Sequence, residues 1–266
     1  MEEEFHNHMR IPWHDYTRKS IGRPITEASL SEKASIIGRT GIMLLSCGTG
    51  AWRVRSSMNT LARELGITCT ADIGLLSIEY TCIDGGNCYT ESLCLFNTGV
   101  NTSKLYRMEE FVNKFAGNCK KMSGDELHTL LDRIHEIHGF YSPPFLGLAA
   151  AVACCAFTFL LGGGPVEMFC AFLGAGAGNY LRAKMNQHHL TLFLCTAASV
   201  ALACIVYTIA FTALKSGFHV SIHHQAGYIC SMLFIIPGFP FITSGIDLAK
   251  LDMRSGLERL TYAIII

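Results

Sequence analysis

A chain of 266 residues has room for one large domain or two ordinary ones. Half of its residues are hydrophobic and 16% are charged, against about a quarter in a typical soluble domain. The formal net charge is zero, so there is no electrostatic footprint for nucleic acid. Most acids and bases lie before residue 143, which predicts a polar front half joined to an apolar back half.

The first residues, Met1-Glu2-Glu3-Glu4-Phe5-His6, are acidic and polar, the reverse of a signal peptide, so the front half is expected in the cytosol. Residues 1–32 lack periodicity, contain Pro12 and Pro24, and read as irregular. A helix is predicted from Ser31 as N-cap, broken into two by Gly48 and Gly50. Arg39 interrupts its apolar stretch and argues against a membrane span there. The pattern then turns to strands over 67–73, 75–81 and 89–96, with Asp84-Gly85-Gly86-Asn87 as a hairpin turn. A helix follows over 105–115. Ser123 and Glu126 form a capping box ahead of a second, which Gly139 and Pro143-Pro144 are expected to end. Residues 33–142 thus read as an α+β domain. Its cysteines, Cys47, Cys69, Cys82, Cys88, Cys94 and Cys119, are expected as free thiols in a reducing compartment.

Residues 143–266 read as a transmembrane helical domain. Apolar runs cover 145–161, 166–180, 190–214 and 228–248, against about 20 residues for a spanning helix. The ending LERLTYAIII looks like the start of a fifth helix, cut off at Ile266. The expected fold is therefore an α-helical polytopic membrane protein, four spans plus a truncated fifth, with an N-terminal α+β cytoplasmic domain. Arg182, Lys184, Lys250, Arg254 and Arg259 fall in loops on one side, which the positive-inside rule places with the front half in the cytosol.

Two segments resemble the threonine/serine exporter family. One is GRTGIMLLSCGTGAWRV at 38–54 with Leu61-Ala62 and Leu65-Gly66 after it. The other, more specific, is Pro237-Gly238-Phe239-Pro240-Phe241 followed by Asp247 and Gly256-Leu257-Glu258-Arg259. Arg55 stands where the family often carries an acid. The resemblance implies efflux of small metabolites across a bacterial inner membrane, driven by an ion gradient. It also implies, for a chain of this short type, a small separate membrane subunit as partner in a hetero- or homo-oligomer. One split pair of that family is associated with succinate, so a dicarboxylate exporter stands as the alternative to threonine/serine efflux. A regulatory or scaffold subunit is a further alternative.

The prolines of Pro237-Gly238-Phe239-Pro240 remove backbone donors and free carbonyls in an apolar setting, as the broken helices of transporters do around substrate. With Thr243 and Ser244 one turn before Asp247, these six residues are the candidate substrate site, although both hydroxyls have an alternative in bonding to their own helix. Asp247 and Glu167 are the candidate ion-coupling acids, since carboxylates in apolar segments are costly. An interfacial acid at Asp247 and a helix N-terminal acid at Glu167 are the plainer alternatives. Gly174-Ala175-Gly176-Ala177-Gly178 reads as a close-packing face. His128, His135 and His138 read as a solvated helix face, and His219, His223 and His224 as loop residues without a metal. No cofactor is expected. No GxSxG, HExxH or Walker sequence is present, so the chain is not read as an enzyme; the rival is a membrane-anchored enzyme working through the front domain.

Overall fold

The structure is a computed structural model describing residues 11–17, 22–96, 98–118, 121–137, 141–188, 190–218 and 225–266. The chain forms two compact units, Met1–Gly139 with Phe239–Tyr262, and Phe140–Gly238 with Ala263–Ile266.

The first unit is built around one buried helix, α1 (Leu30–Ser46). Its cap is Ser29 rather than Ser31. Ser29 has extended backbone and forms a capping box with Glu32, three residues on, while Ser31 already lies within the helix. Ile36, Ile37, Leu44 and Leu45 of α1 are fully buried on several faces, as befits a helix enclosed all round. The predicted break is present: α1 ends before Gly48 and α2 (Ala51–Glu64) begins after Gly50.

Three antiparallel strands follow in the order β1 (Thr68–Ile73), β2 (Ser77–Asp84), β3 (Asn87–Cys94), with Gly85-Gly86 as the two-residue hairpin turn. Ile78, Tyr80 and Cys82 of β2 point inward, and Glu79 and Ile83 outward, the period-two pattern of a half-covered sheet. The Tyr80 hydroxyl donates to Ala34 O at 3.0 Å, and its ring lies where a side chain on Gly38 would stand. Helices α3 (Thr102–Asn118) and α4 (Gly124–His135) complete the layer, α4 starting at the predicted Ser123–Glu126 capping box. Helix α4 stops at His135, before the glycine and prolines expected to end it. Pro143 and Pro144 instead occupy the first turn of the next helix, where a missing N–H costs nothing.

The expectation that His128 belongs to a solvated face is corrected. His128 is fully buried, because the 3-10 turn Trp13–Thr17 lies over α4. Its Nε2 is 3.0 Å from Ser35 Oγ, Trp13 stacks on its ring, and Arg39 donates to its carbonyl at 3.0 Å. Arg39 is itself buried and pairs with Asp132, so the charge that interrupts α1 is matched inside the domain. His135 is exposed; His138 lies outside the described residues.

The second unit contains α5 (Pro143–Leu160), α6 (Pro165–Gln187), α7 (Leu192–Phe218), α8 (Gln225–Ser231) and a 3-10 turn at Leu233–Ile235. Among the described residues, two helices are long and apolar enough to cross a membrane, Pro143–Leu160 and Leu192–Ser216, or three if the halves 226–235 and 238–249 are one span. Helix α6 is longer than the predicted run and more polar, holding Glu167, Arg182 and Lys184 inside the helix. The run 228–248 is broken, as its prolines predict. The glycine stripe is a packing face: an added Cβ would lie 2.8 Å from Ala203 O at Gly174 and 2.7 Å from Ser199 O at Gly178. The described cysteines are all free; Cys119 lies outside them, as do His219, His223 and His224.

Candidate functional site

Helices α9 (Gly238–Ala249) and α10 (Met253–Ile265) are joined by a three-residue turn. Leu251 closes α9 in the left-handed conformation at φ 63°, and Asp252 N–H donates back to Asp247 O at 2.9 Å. The turn folds Asp247 and Arg259 onto each other inside the first unit. Asp247 is fully buried and Arg259 is 2% exposed. Asp247 Oδ2 lies 3.3 Å from Arg259 Nε and accepts from Ser255 Oγ at 3.0 Å.

The same carboxylate reaches the α1–α2 connection. Asp247 Oδ2 accepts the Ala51 N–H at 3.1 Å, filling at long range the cap that Gly50 has no side chain to provide. Arg259 donates to Gly48 O at 3.1 Å and Thr49 O at 2.7 Å. Gly48 turns the chain at φ +82°, and a Cβ on Gly50 would stand 2.7 Å from Asp247 Oδ1. That oxygen is buried without a hydrogen-bond partner among the described residues. The glycines of the connection thus let backbone approach a buried ion pair that grips it from the other side.

Further ties join the same elements. Arg55, which stands where the resemblance implies an acid, pairs with Asp252 of the α9–α10 turn and donates to Ala71 O at 3.1 Å. Arg254 pairs with Asp72, and Glu258 Oε2 accepts the Leu75 N–H at 2.6 Å. A cavity of about 70 Å³, lined by Gly48, Leu75, Gly99, Phe239, Pro240 and Arg259 among others, adjoins the ion pair. Its volume is enough for only a few waters.

Of the predicted site residues, Phe239, Pro240, Thr243, Ser244 and Asp247 lie in the first unit, with Phe239 and Pro240 on this cavity. Thr243 bonds back to Phe239 O at 3.0 Å and Pro240 O at 3.2 Å, and Ser244 donates to Gly256 O at 2.8 Å. Pro237 and Gly238 belong to the second unit, as does Glu167. Glu167 is 4% exposed on the first turn of α6, where Oε2 accepts the Gly164 N–H at 2.9 Å, while Oε1 is buried without a partner among the described residues. The sequence reading missed Arg259, Ser255 and the glycine connection as parts of one site. A signal was present for Arg259 and the glycines, which sit in the two segments that carry the resemblance; Ser255 lies just outside the residues that carry it. Among the described residues no group of three or more His, Cys, Asp or Glu side chains could hold a metal.

Residues 35–266 match the family described as "Putative threonine/serine exporter". Two relatives are both named "Probable succinate transporter subunit YjjP". The one from Escherichia coli K12 is 23% identical over 85% of this chain and 86% of its own. The one from Klebsiella aerogenes is 22% identical over 85% of this chain and 84% of its own. No solved structure matches.

Proposed function

We propose, on the premise that the chain belongs to the threonine/serine exporter family, that it is one subunit of a secondary exporter of small polar metabolites, with dicarboxylates of the succinate class as cargo. The observation that carries the reading is the family match over residues 35–266, which takes in both helices of the Asp247–Arg259 site. The relatives' names favour a dicarboxylate and the word "subunit" favours a second, small membrane protein as partner. The family's description favours threonine and serine, which are the competing cargo.

In this reading the apolar helices lie in a bacterial inner membrane, the front domain faces the cytosol, and substrate binds at the Pro237–Pro240 break. The cavity beside Phe239 and Pro240 is too small for a dicarboxylate in this state, so loading requires α9 to shift. Asp247 carries the coupled proton. Protonation removes the charge that holds Arg259 and weakens the grip on Ala51 N–H, releasing the hairpin from the α1–α2 connection. Arg259 then presents a cation to a carboxylate. Buried acids that exchange protons in step with a conformational change are the usual coupling elements of such transporters.

Counterflow in vesicles holding this chain and its small partner subunit is the test, with succinate, threonine and serine as cargo. Succinate exchange that disappears in Asp247→Asn is expected. Exchange of threonine or serine but not succinate overturns the cargo, and unchanged gradient-driven efflux in Asp247→Asn removes Asp247 from coupling.

A further inference from the structure

A second hollow of the first unit shares Thr98, Gly99 and Val100 with the small cavity beside Arg259, and the rest of its described walls are its own. It has a volume of about 700 Å³, within the roughly 300–1,000 Å³ range of small-molecule pockets. Its walls are mostly apolar, with Trp13, Ile42, Met43 and Phe96 prominent. Its polar groups are Arg39, Lys104, His135, Asn101, Ser46 and Thr98, and no Asp or Glu is among the described lining residues.

The charge balance is set by Lys104. Arg39 is spent on Asp132 and His128, whereas Lys104 makes no ion pair among the described residues. Asn101 fixes the first turn of α3, its Oδ1 accepting the Lys104 N–H at 2.9 Å. Thr98, which lines both this hollow and the cavity beside Arg259, has its Oγ1 buried without a hydrogen-bond partner among the described residues. An unpaired ammonium beside aromatic and aliphatic walls matches a carboxylate carried on an apolar body.

We propose that the first unit binds a small organic carboxylate with an apolar body in this cavity, with Lys104 as its counter-ion. The ligand is a different class from the cargo proposed above, because a dicarboxylate as small and polar as succinate would leave the apolar walls uncovered. The site does not depend on the exporter reading. It suits a sensor in the front domain better than a transport path, since its described lining residues lie within Met1–Gly139.

The test uses the full chain in lipid nanodiscs with Trp52→Phe, which leaves Trp13, in the cavity wall, as the only tryptophan of the two. Trp13 fluorescence is titrated with 3-phenylpropionate, its neutral amide and succinate. Saturable binding of the acid, about tenfold weaker for the amide and in Lys104→Met, is expected, the size of one charge-assisted hydrogen bond. Lys104→Arg keeps the charge and is expected to retain binding, which separates loss of the cation from loss of the fold. Equal binding of acid and amide, unchanged binding in Lys104→Met, succinate binding as tightly as the acid, or no saturation by the acid overturns the proposal.

Discussion

Replacing Asp247 by Ala removes three things at once: the counter-ion of Arg259, the acceptor for Ala51 N–H, and the acceptor for Ser255 Oγ. Arg259 is 2% exposed, so the charge left behind cannot be solvated without opening the site. Breaking a buried ion pair by deleting one partner costs about 3–5 kcal/mol. At about 1.4 kcal/mol per tenfold, that is roughly a hundredfold to several thousandfold more opening of the α1–α2 connection. Hydrogen exchange of the peptide containing Ala51, read by mass spectrometry on the full chain in nanodiscs, measures this directly. Arg259→Met is expected to cost a similar amount, because it strands Asp247 and leaves Gly48 O and Thr49 O without their donor. The double variant should cost less than the sum, by about 0.5–3 kcal/mol, as expected of side chains in one network. Arg254→Ala breaks two exposed pairs, to Asp72 and to Glu258, each worth about 0–1 kcal/mol, and serves as the reference. If Asp247→Ala accelerates exchange at Ala51 no more than Arg254→Ala does, the buried pair is not what holds the connection.

Three more outcomes follow from particular contacts. Gly38→Ala sets a Cβ 2.7 Å from Tyr80 Cε1 in a ring held by its hydroxyl bonds to Ala34 O and Glu91, so thermal unfolding is expected to show a loss of about 1–3 kcal/mol. Leu251→Gly relieves a left-handed residue that is 82% exposed and is expected to gain about 1 kcal/mol in the same measurement. His14 and His128 pull stability in opposite directions with pH. The hydrogen-bonded carboxylates of Asp125 and Asp132 raise the His14 pKa above 6.5, so its contribution is complete below pH 6.5 and is lost as pH rises through the folded-state value. Burial, with Arg39 and His14 adding to it, lowers His128 to about 3, so its contribution is complete above pH 6.5 and falls away between there and about 3. In His14→Gln, the protection of the peptide 11–17, taken relative to intrinsic amide exchange, should no longer fall above neutral pH, and global stability should fall more steeply on acidification.

The front domain was legible because its signals are local. The capping box at Ser123, the Gly85-Gly86 hairpin and the glycines dividing α1 from α2 each act within a few residues, and each is where the pattern placed it. Misreadings came where a distant segment decides. His128 looked like a surface residue because helical periodicity cannot show that Trp13, more than a hundred positions away, lies over it. The basic residues after the apolar run 228–248 looked like loop charges, yet Arg259 is buried against Gly48 and Thr49, and Arg254 is engaged with Asp72. A charge count near an apolar run measures topology only for charges that stay in solvent.

The same distinction bears on Asp247. In sequence it is an acid at the end of an apolar helix, and a lone carboxylate there would be costly enough to imply a role in ion movement. In the fold its charge is met by Arg259, Ser255 and the start of α2, so its cost alone no longer argues for coupling. What argues for it is the unequal use of its oxygens. Oδ2 meets Ala51, Ser255 and Arg259, while Oδ1 is buried with no hydrogen-bond partner among the described residues, against the space where Gly50 lacks a side chain. A proton bound at Oδ1 would leave the bonds to Oδ2 in place but discharge the pair, weakening all of them together. A tie that serves only stability gains nothing from an idle buried oxygen, so Asp247→Asn separates the two roles. The amide can still accept from Ala51 and so keeps part of the cap, but it cannot take up and release a proton. Exchange at Ala51 faster than in the parent, but slower than in Asp247→Ala because the amide still accepts from Ala51, together with lost proton-driven exchange, is the outcome expected of a coupling acid whose protonation loosens the connection. Protection at Ala51 equal to the parent's would mean that discharging the pair does not release the connection, and coupling would then have to be sought elsewhere.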